Sequence, residues 1–234
     1  MNPSIQSLRL TLVFLSASVF GGVVSPAQDH KPQGGAAAPA HHMEHRFDDA
    51  ERYAKAFDDP SRDAWQMPDR VIEALAIRRG QSVADIGAGT GYFTVRMARS
   101  PAAPTVYAVD IERSMVDYVR QRAAKEGLTN VTPVLAAADR TNLPQAVDLV
   151  LIVDTYHHIP NRAAYFRELK KSLKPGARLA IVDFRRDSPE GPPVEFRFTP
   201  EQVEAELGSS GFRVVAKHDF LPRQYFLVLQ ASDR

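Results

Sequence analysis

The chain has no cysteine. Disulfides, thiolate zinc sites, a cysteine nucleophile and a lipid-modified N-terminal cysteine are thereby excluded. Charge of one sign is also missing. The 29 Lys and Arg are balanced by 28 Asp and Glu, a net +1 at pH 7, so no global field draws the protein to nucleic acid or to an anionic membrane. Tryptophan occurs once, at Trp65. No internal repeat is visible. No apolar run reaches the ~20 residues of a comfortable membrane span; the most extended, Leu10 to Val24, falls short. What is present, 44% hydrophobic and 24% charged residues in a chain of 234, is the composition of an ordinary globular protein. The length suits one α/β domain plus a leader.

Arg9 and the free amine place positive charge ahead of the Leu10–Val24 run. Ser25-Pro26-Ala27 then offers the small residues of a cleavage site. Residues 1–27 are therefore expected to be a signal peptide, with an uncleaved membrane anchor as the alternative. Because positive charge precedes the apolar run, either reading sends the domain outward, to the periplasm or beyond. No stable membrane span is expected after cleavage. Residues 28–45 read as a flexible linker, with Pro32, Gly34, Gly35 and Pro39 and no apolar periodicity. His30, His41, His42 and His45 are more naturally a solvated tail than a metal site, and no metal is expected.

From residue 46 the pattern becomes that of a folded domain. Phe47 to Phe57 reads as a short amphipathic helix, ended by Asp58-Asp59-Pro60-Ser61, and Pro68 opens a second helix to about Ile77. Strands are expected at Val83–Ile86, Thr105–Val109, Val131–Ala136, Val147–Val153, Arg178–Asp183, Phe212–Ala216 and Tyr225–Leu229. Helices are expected at Tyr92–Ala98, Arg113–Glu126 and Asn161–Leu173, the last stopped by Pro175-Gly176. A further helix begins at Thr199, where Thr199 and Gln202 form a capping box. Strands alternating with helices imply an α/β fold: a doubly wound, mainly parallel seven-stranded sheet with helices on both faces. The closing pair of strands implies an antiparallel edge. Residues 46–67 are expected to form a helical lid on a Rossmann-like core spanning 68–234.

The strongest motif is Val83-Ala84-Asp85-Ile86-Gly87-Ala88-Gly89-Thr90-Gly91-Tyr92-Phe93. A strand runs into a turn with glycine at every second position, and a helix follows. Glycine permits the sharp turn and the close approach of a ligand, and the helix start leaves N–H groups free beside it. A dinucleotide fingerprint would need glycine where Tyr92 stands, and the Walker ending Gly-Lys-Ser/Thr is absent. Asp110 ends the next strand about 20 residues on, where a carboxylate can accept hydrogen bonds from two ribose hydroxyls.

This stretch resembles the class I S-adenosylmethionine-dependent methyltransferases, and especially small-molecule methyltransferases such as those of quinone biosynthesis. Asp85 to Gly91 is similar to the family's first motif, and Val109-Asp110 to its second acidic strand end. Asp139-Arg140-Thr141-Asn142-Leu143-Pro144 looks like its Asp-x-x-x-Leu-Pro loop. Val147-Asp148-Leu149-Val150, His157-His158-Ile159-Pro160 and Leu173-Lys174-Pro175-Gly176 look like the fourth strand, its exit loop and the turn before the fifth strand. The resemblance covers residues 68–184 well and the remainder loosely. It implies S-adenosylmethionine as cofactor and a small-molecule methyl acceptor. It implies that Gly87, Ala88, Gly89 and Gly91 pass under the methionine part, with Tyr92 and Asp154 beside them. Asp85 would orient the amino group, Asp110 would hold the ribose, Ile111 would pack on the adenine and Asp139 would bond the adenine edge.

On the acceptor side, His157 and His158 are equal candidates for a general base, since histidine titrates near neutrality; packing is the alternative for both. Tyr156 shares their loop. Trp65, with Tyr53 and Phe57, could wall the site and favour a sulfonium by cation–π attraction. Asp183 ends the fifth strand, where it faces the substrate or merely caps the strand. Arg185 or Arg186 could attract an acidic acceptor, or be a solvated basic pair. A rival reading from another class is an inactive S-adenosylmethionine-binding sensor or scaffold in the cell envelope. Export motivates it, because the cofactor is made in the cytoplasm.

Overall fold

A computed structural model describes residues 49–232 of the chain. The expected signal peptide, the linker, its histidines and the start of the first helix at Phe47 lie outside the described residues.

The seven strands are β1 (Ser82–Ile86), β2 (Thr105–Asp110), β3 (Val131–Leu135), β4 (Val147–Val153), β5 (Leu173–Phe184), β6 (Phe212–His218) and β7 (Gln224–Ala231). They form one sheet in the order β3-β2-β1-β4-β5-β7-β6. Strands β1 to β5 pair in parallel, while β7 runs antiparallel to both β5 and β6. The reversed strand is thus inserted second from the edge, and β6 forms the rim.

Seven α-helices accompany the sheet among the described residues: α1 (Ala50–Phe57), α2 (Asp63–Gln66), α3 (Pro68–Ala74), α4 (Tyr92–Arg99), α5 (Arg113–Lys125), α6 (Arg162–Lys170) and α7 (Pro200–Ser209). The central strands are apolar on both faces, as a sheet covered on both sides requires. Along β4, Val150 and Ile152 pack with Phe166 and Leu169 of α6 and Val203 and Leu207 of α7. The intervening Leu149, Leu151 and Val153 pack with Val71 of α3 and Phe93 and Met97 of α4. The period-two alternation of strand side chains therefore builds two cores from one run. The expected capping box on α7 is formed, with Thr199 and Gln202 each bonding the other's backbone N–H.

Several boundaries differ from expectation. Helix α6 ends at Lys170, and β5 begins at Leu173 rather than Arg178. Pro175-Gly176 does not stop the helix; it lies where the β4–β5 register shifts, between the Val147–Leu173 and Leu149–Arg178 pairs, a bulge where a missing N–H is tolerated. The expected break at Asp58-Asp59-Pro60-Ser61 is present, since α1 ends at Phe57, and a 3-10 turn (Pro60–Arg62) then leads directly into α2. Pro60 opens that turn, where a first-turn position has no use for its N–H. No helix among the described residues is long and apolar enough to cross a membrane.

Candidate functional site

The chain leaves β1 for β2 and β3 on one side and returns to β4 on the other, so the strand order reverses between β1 and β4. In such sheets the crevice opens at the carboxyl ends of the strands at that point. A cavity of about 900 Å³ lies there, within the range of ligand sites, ~300–1,000 Å³. Its walls come from the ends of β1, β2, β4 and β5, from Ala136–Ala138 after β3, and from Phe57, Arg62 and Trp65 of the segment that precedes α3.

The glycine-rich turn forms the floor. Gly87 has φ +73°, and a Cβ there would lie 2.2 Å from Thr155 Oγ1. The turn and the β4 exit loop therefore touch at a point where only glycine fits. Gly89 also lines the cavity, and its N–H donates to Asp110 Oδ2 at 2.9 Å. The other oxygen of Asp110 accepts the Glu112 N–H at 2.9 Å. Burial raises the Asp110 pKa despite these two bonds. Asp85 lies deeper and accepts the Thr94 hydroxyl at 2.6 Å. Burial, opposed by Thr94 and reinforced by Asp110, pushes its pKa up to about 6. Ile111 lines the same end and is 59% exposed, an apolar surface with no partner in the fold.

At the other end, β4 exits through Asp154 in the left-handed region, φ +50°. The Asp154 carboxylate is gripped from two sides. Gln66 Nε2 donates to one oxygen at 2.8 Å, and Gln224 Nε2 donates to the other. Burial, with the Asp183 charge, raises its pKa. A 3-10 turn (Tyr156–His158) follows and separates its side chains. His157 and His158 line the cavity, their ring centroids 4.2 Å apart. His157 is buried, and its Nδ1 sits 3.1 and 3.0 Å from the two carboxylate oxygens of buried Asp183. A carboxylate only accepts, so the pair fixes the Nδ1–H tautomer and leaves Nε2 as the basic nitrogen. Burial opposes the charged imidazole, yet the Asp183 charge and hydrogen bond outweigh it and raise the His157 pKa.

The sequence is similar to known proteins in the same region. A family model described as a methyltransferase domain matches residues 77–214, more than half of the chain. The chain belongs to this family. Methyltransferase GfsG of Streptomyces halstedii is 33% identical over 129 residues, 53% of this chain and 46% of its own length. The 27-O-demethylrifamycin SV methyltransferase of Amycolatopsis mediterranei is 32% identical over 51% of this chain and 44% of its own. The chain spans somewhat under half the length of these curated relatives. A crystal structure of a SAM-dependent methyltransferase from Aquifex aeolicus superposes with a TM-score of 0.73 at 28% identity, covering 78% of this chain and 98% of that one.

The residues present fit S-adenosylmethionine, the cofactor of this class of methyltransferases. A carboxylate has about four acceptor sites, so Asp110 retains capacity for hydroxyls after binding two backbone N–H groups. Exposed Ile111 offers a surface for a flat base. Asp85, Gly87, Ala88, Gly89 and Tyr92 all line the cavity, as do Asp154, Trp65, His157 and His158.

Other expected residues stand apart from the cavity wall. Asp139 does not line it: its side chain is 74% exposed and lies 3.7 Å from Arg140, while Ala136–Ala138 supply that wall. Gly91 is not in the cavity wall either. It caps α4, and its Cβ position faces Val119 of α5. Tyr156 is fully buried and donates its hydroxyl to Glu206 at 2.5 Å, on the side away from the cavity. Asp183 does not line the cavity but holds His157 from behind. Arg185 donates to the Pro222 carbonyl and stays outside. Sequence reasoning pointed to the Arg62–Pro68 segment as a lid and to the Pro189–Pro193 loop as a wall of the acceptor pocket without singling out Arg62, Gln66 or Glu190, and it passed over Thr155 and Gln224, which carry no motif. Thr155 alone had a local signal, as the second residue beyond β4, whose last five residues are all apolar.

Proposed function

We propose that the protein transfers the methyl group of S-adenosylmethionine to a small-molecule acceptor, with His157 as general base. The observation that carries this reading is the His157–Asp183 pair, whose imidazole lines the cavity while its Nδ1 is fixed from behind. When bound, the cofactor supplies a methyl group on a positively charged sulfur, open to in-line displacement. Such chemistry depends mainly on positioning and on excluding water. Asp85 and Asp110 would hold the cofactor end. His157 would take a proton from an acceptor hydroxyl or amine, and Asp183 would stabilise the resulting imidazolium. Of the two histidines, His157 is the one we assign as base, because a buried carboxylate holds its Nδ1 and leaves Nε2 basic.

The test is a screen of methyl acceptors with labelled cofactor, on protein lacking residues 1–27. His157→Gln should then lower turnover by about 10²–10⁴-fold with cofactor affinity unchanged, whereas His158→Gln should cost much less. Near-parental turnover in His157→Gln would retire the general base and leave a proximity mechanism. We further propose, from the charged start, the apolar run and the small residues at 25–27, that the domain is exported.

A further inference from the structure

Resting on the methyl-transfer reading above, we propose that the acceptor is an aromatic hydroxyl compound bearing no negative charge, and that Asp154 enforces this selection. Six carboxylates line the cavity, from Asp59, Asp85, Asp110, Glu112, Asp154 and Glu190. Against them stands a single Lys or Arg among the described residues, Arg62. Its guanidinium is already committed. It donates to the Phe57 carbonyl and to Gln66 Oε1, lies 3.8 Å from Asp154 and sits over the Tyr92 ring at 4.3 Å.

None of the arginines that follow β5 lines the cavity, and of its six carboxylates they pair with Glu190 alone among the described contacts. Arg185 and Arg186 donate to backbone carbonyls of Pro222 and Arg197. Arg197 donates to the carbonyls of Pro192 and Ser188, both at 2.6 Å, and so organises the loop from behind. Arg223 pairs with Glu190. An anionic acceptor entering here would lose water and find carboxylates. In a low-dielectric cavity that repulsion is several times its strength in water.

The shape of the same end explains the aromatic body. Trp65 and Phe184 line the cavity with ring centroids 5.7 Å apart. Gly191 presses on Phe184, its Cβ position 2.6 Å from the ring, so the loop and the ring form one wall. A flat apolar body suits these surfaces, and a hydroxyl suits the basic nitrogen of His157. Asp154 is held rigidly by two amides, so it presents its charge at a fixed place. Burial and the Asp183 charge raise its pKa, so the test is made at pH 8, far above the ordinary carboxylate range.

Three compounds share one 4-hydroxyphenyl body and differ in the charge of the tail: tyramine (cationic), tyrosol (neutral) and 4-hydroxyphenylacetate (anionic). Calorimetry at pH 8 and low salt, on protein loaded with S-adenosylhomocysteine, measures each affinity. Tyrosol and tyramine should bind, and 4-hydroxyphenylacetate should bind at least about tenfold more weakly than tyrosol. Added salt should narrow the gap, and Asp154→Asn should nearly close it. Equal or tighter binding of the anion overturns the proposal, as does failure of all three to bind while S-adenosylhomocysteine binds. A gap that survives in a folded Asp154→Asn variant overturns the role of that residue. Failure of S-adenosylhomocysteine itself to bind overturns the methyl-transfer reading, and the proposal with it.

Discussion

Gly87→Ala tests the point where the two halves of the site meet. The added Cβ would lie 2.2 Å from Thr155 Oγ1, 2.5 Å from its Cγ2 and 2.8 Å from its Cβ. Real atoms do not approach so closely, so Thr155 must move, which is overpacking at ~1–3 kcal/mol. Moving it breaks the 2.8 Å bond from its hydroxyl to the Val153 carbonyl, worth ~1 kcal/mol. Alanine at φ +73° adds ~1–2 kcal/mol of left-handed backbone strain. The expected loss is about 3–6 kcal/mol, a large part of the ~5–15 kcal/mol that stabilises a typical domain. Urea and thermal unfolding measure it, and the melting temperature should fall by roughly 6–24 °C. Replacing Thr155 by glycine in the same chain removes the collision and leaves the strain, so the two substitutions should couple by at least about 1 kcal/mol in a double-mutant cycle. Gly208→Ala is the control: nothing lies within 4 Å of its Cβ position, it lies in α7, and it should stabilise by ~0.5–1 kcal/mol. A Gly87→Ala protein within ~0.5 kcal/mol of the parent, or strict additivity with Thr155→Gly, refutes the contact.

Asp110→Ala should weaken S-adenosylmethionine binding by roughly 2–3 kcal/mol by titration, because the carboxylate both orders the Gly89 N–H and offers the remaining lone pairs to the ligand; unchanged affinity would place the cofactor elsewhere. Asp183→Asn should shift the pH profile. Asp183 raises the His157 pKa against burial, and a base acts when neutral, so the parent rate rises with pH through that raised value. Without the charge, burial prevails, the rising limb moves to lower pH and the plateau drops by about 10²-fold or more. Stability follows the same linkage: a raised histidine pKa stabilises the fold fully below the unfolded value of ~6.5 and fades as pH rises through the folded one. The variant's deficit in urea unfolding should therefore be larger at acidic pH than at alkaline pH. N-terminal sequencing of protein from fractionated cells should find a mature start near Gln28; an intact Met1 in the cytosolic fraction would end the export proposal.

The cofactor end was legible because its chemistry is contiguous in the chain. Asp85 to Tyr92 form strand, turn and helix start in one run, and Asp110 is fixed relative to them by the register of β1 on β2, where Asp85 pairs with Ala108. Errors arose where neighbours in sequence part company in space. Tyr156 and His157 are adjacent, yet the 3-10 turn sends one to Glu206 and the other to Asp183. Asp139 sits one residue beyond the wall of Ala136–Ala138, and its side chain turns to solvent there. Pro175 was read as the stop of a helix; it sits instead in a bulge of β5, where a missing N–H costs nothing.

The acceptor end was illegible for a different reason: it is assembled from segments far apart in the chain. Gln66 reaches Asp154 across 88 residues, and Gln224 across 70. The segment 50–66 is fastened to the core chiefly by polar bonds. Arg122 of α5 holds Asp58 at 2.9 Å and the Thr90 carbonyl at 3.0 Å. Asp63 meets Tyr92 and Arg96, and Gln66 meets Asp154. Part-exposed ion pairs of this kind contribute little each, ~0–1 kcal/mol, unlike the apolar packing that fixes α3 and α4 on the sheet. The Gln66–Asp154 bond differs from these pairs: Gln66 is fully buried and donates to a carboxylate at 2.8 Å, and a hydrogen bond to a charged group contributes ~1.5–3 kcal/mol. The contact that no local pattern announces is therefore the one that ties this segment most firmly to the acceptor end.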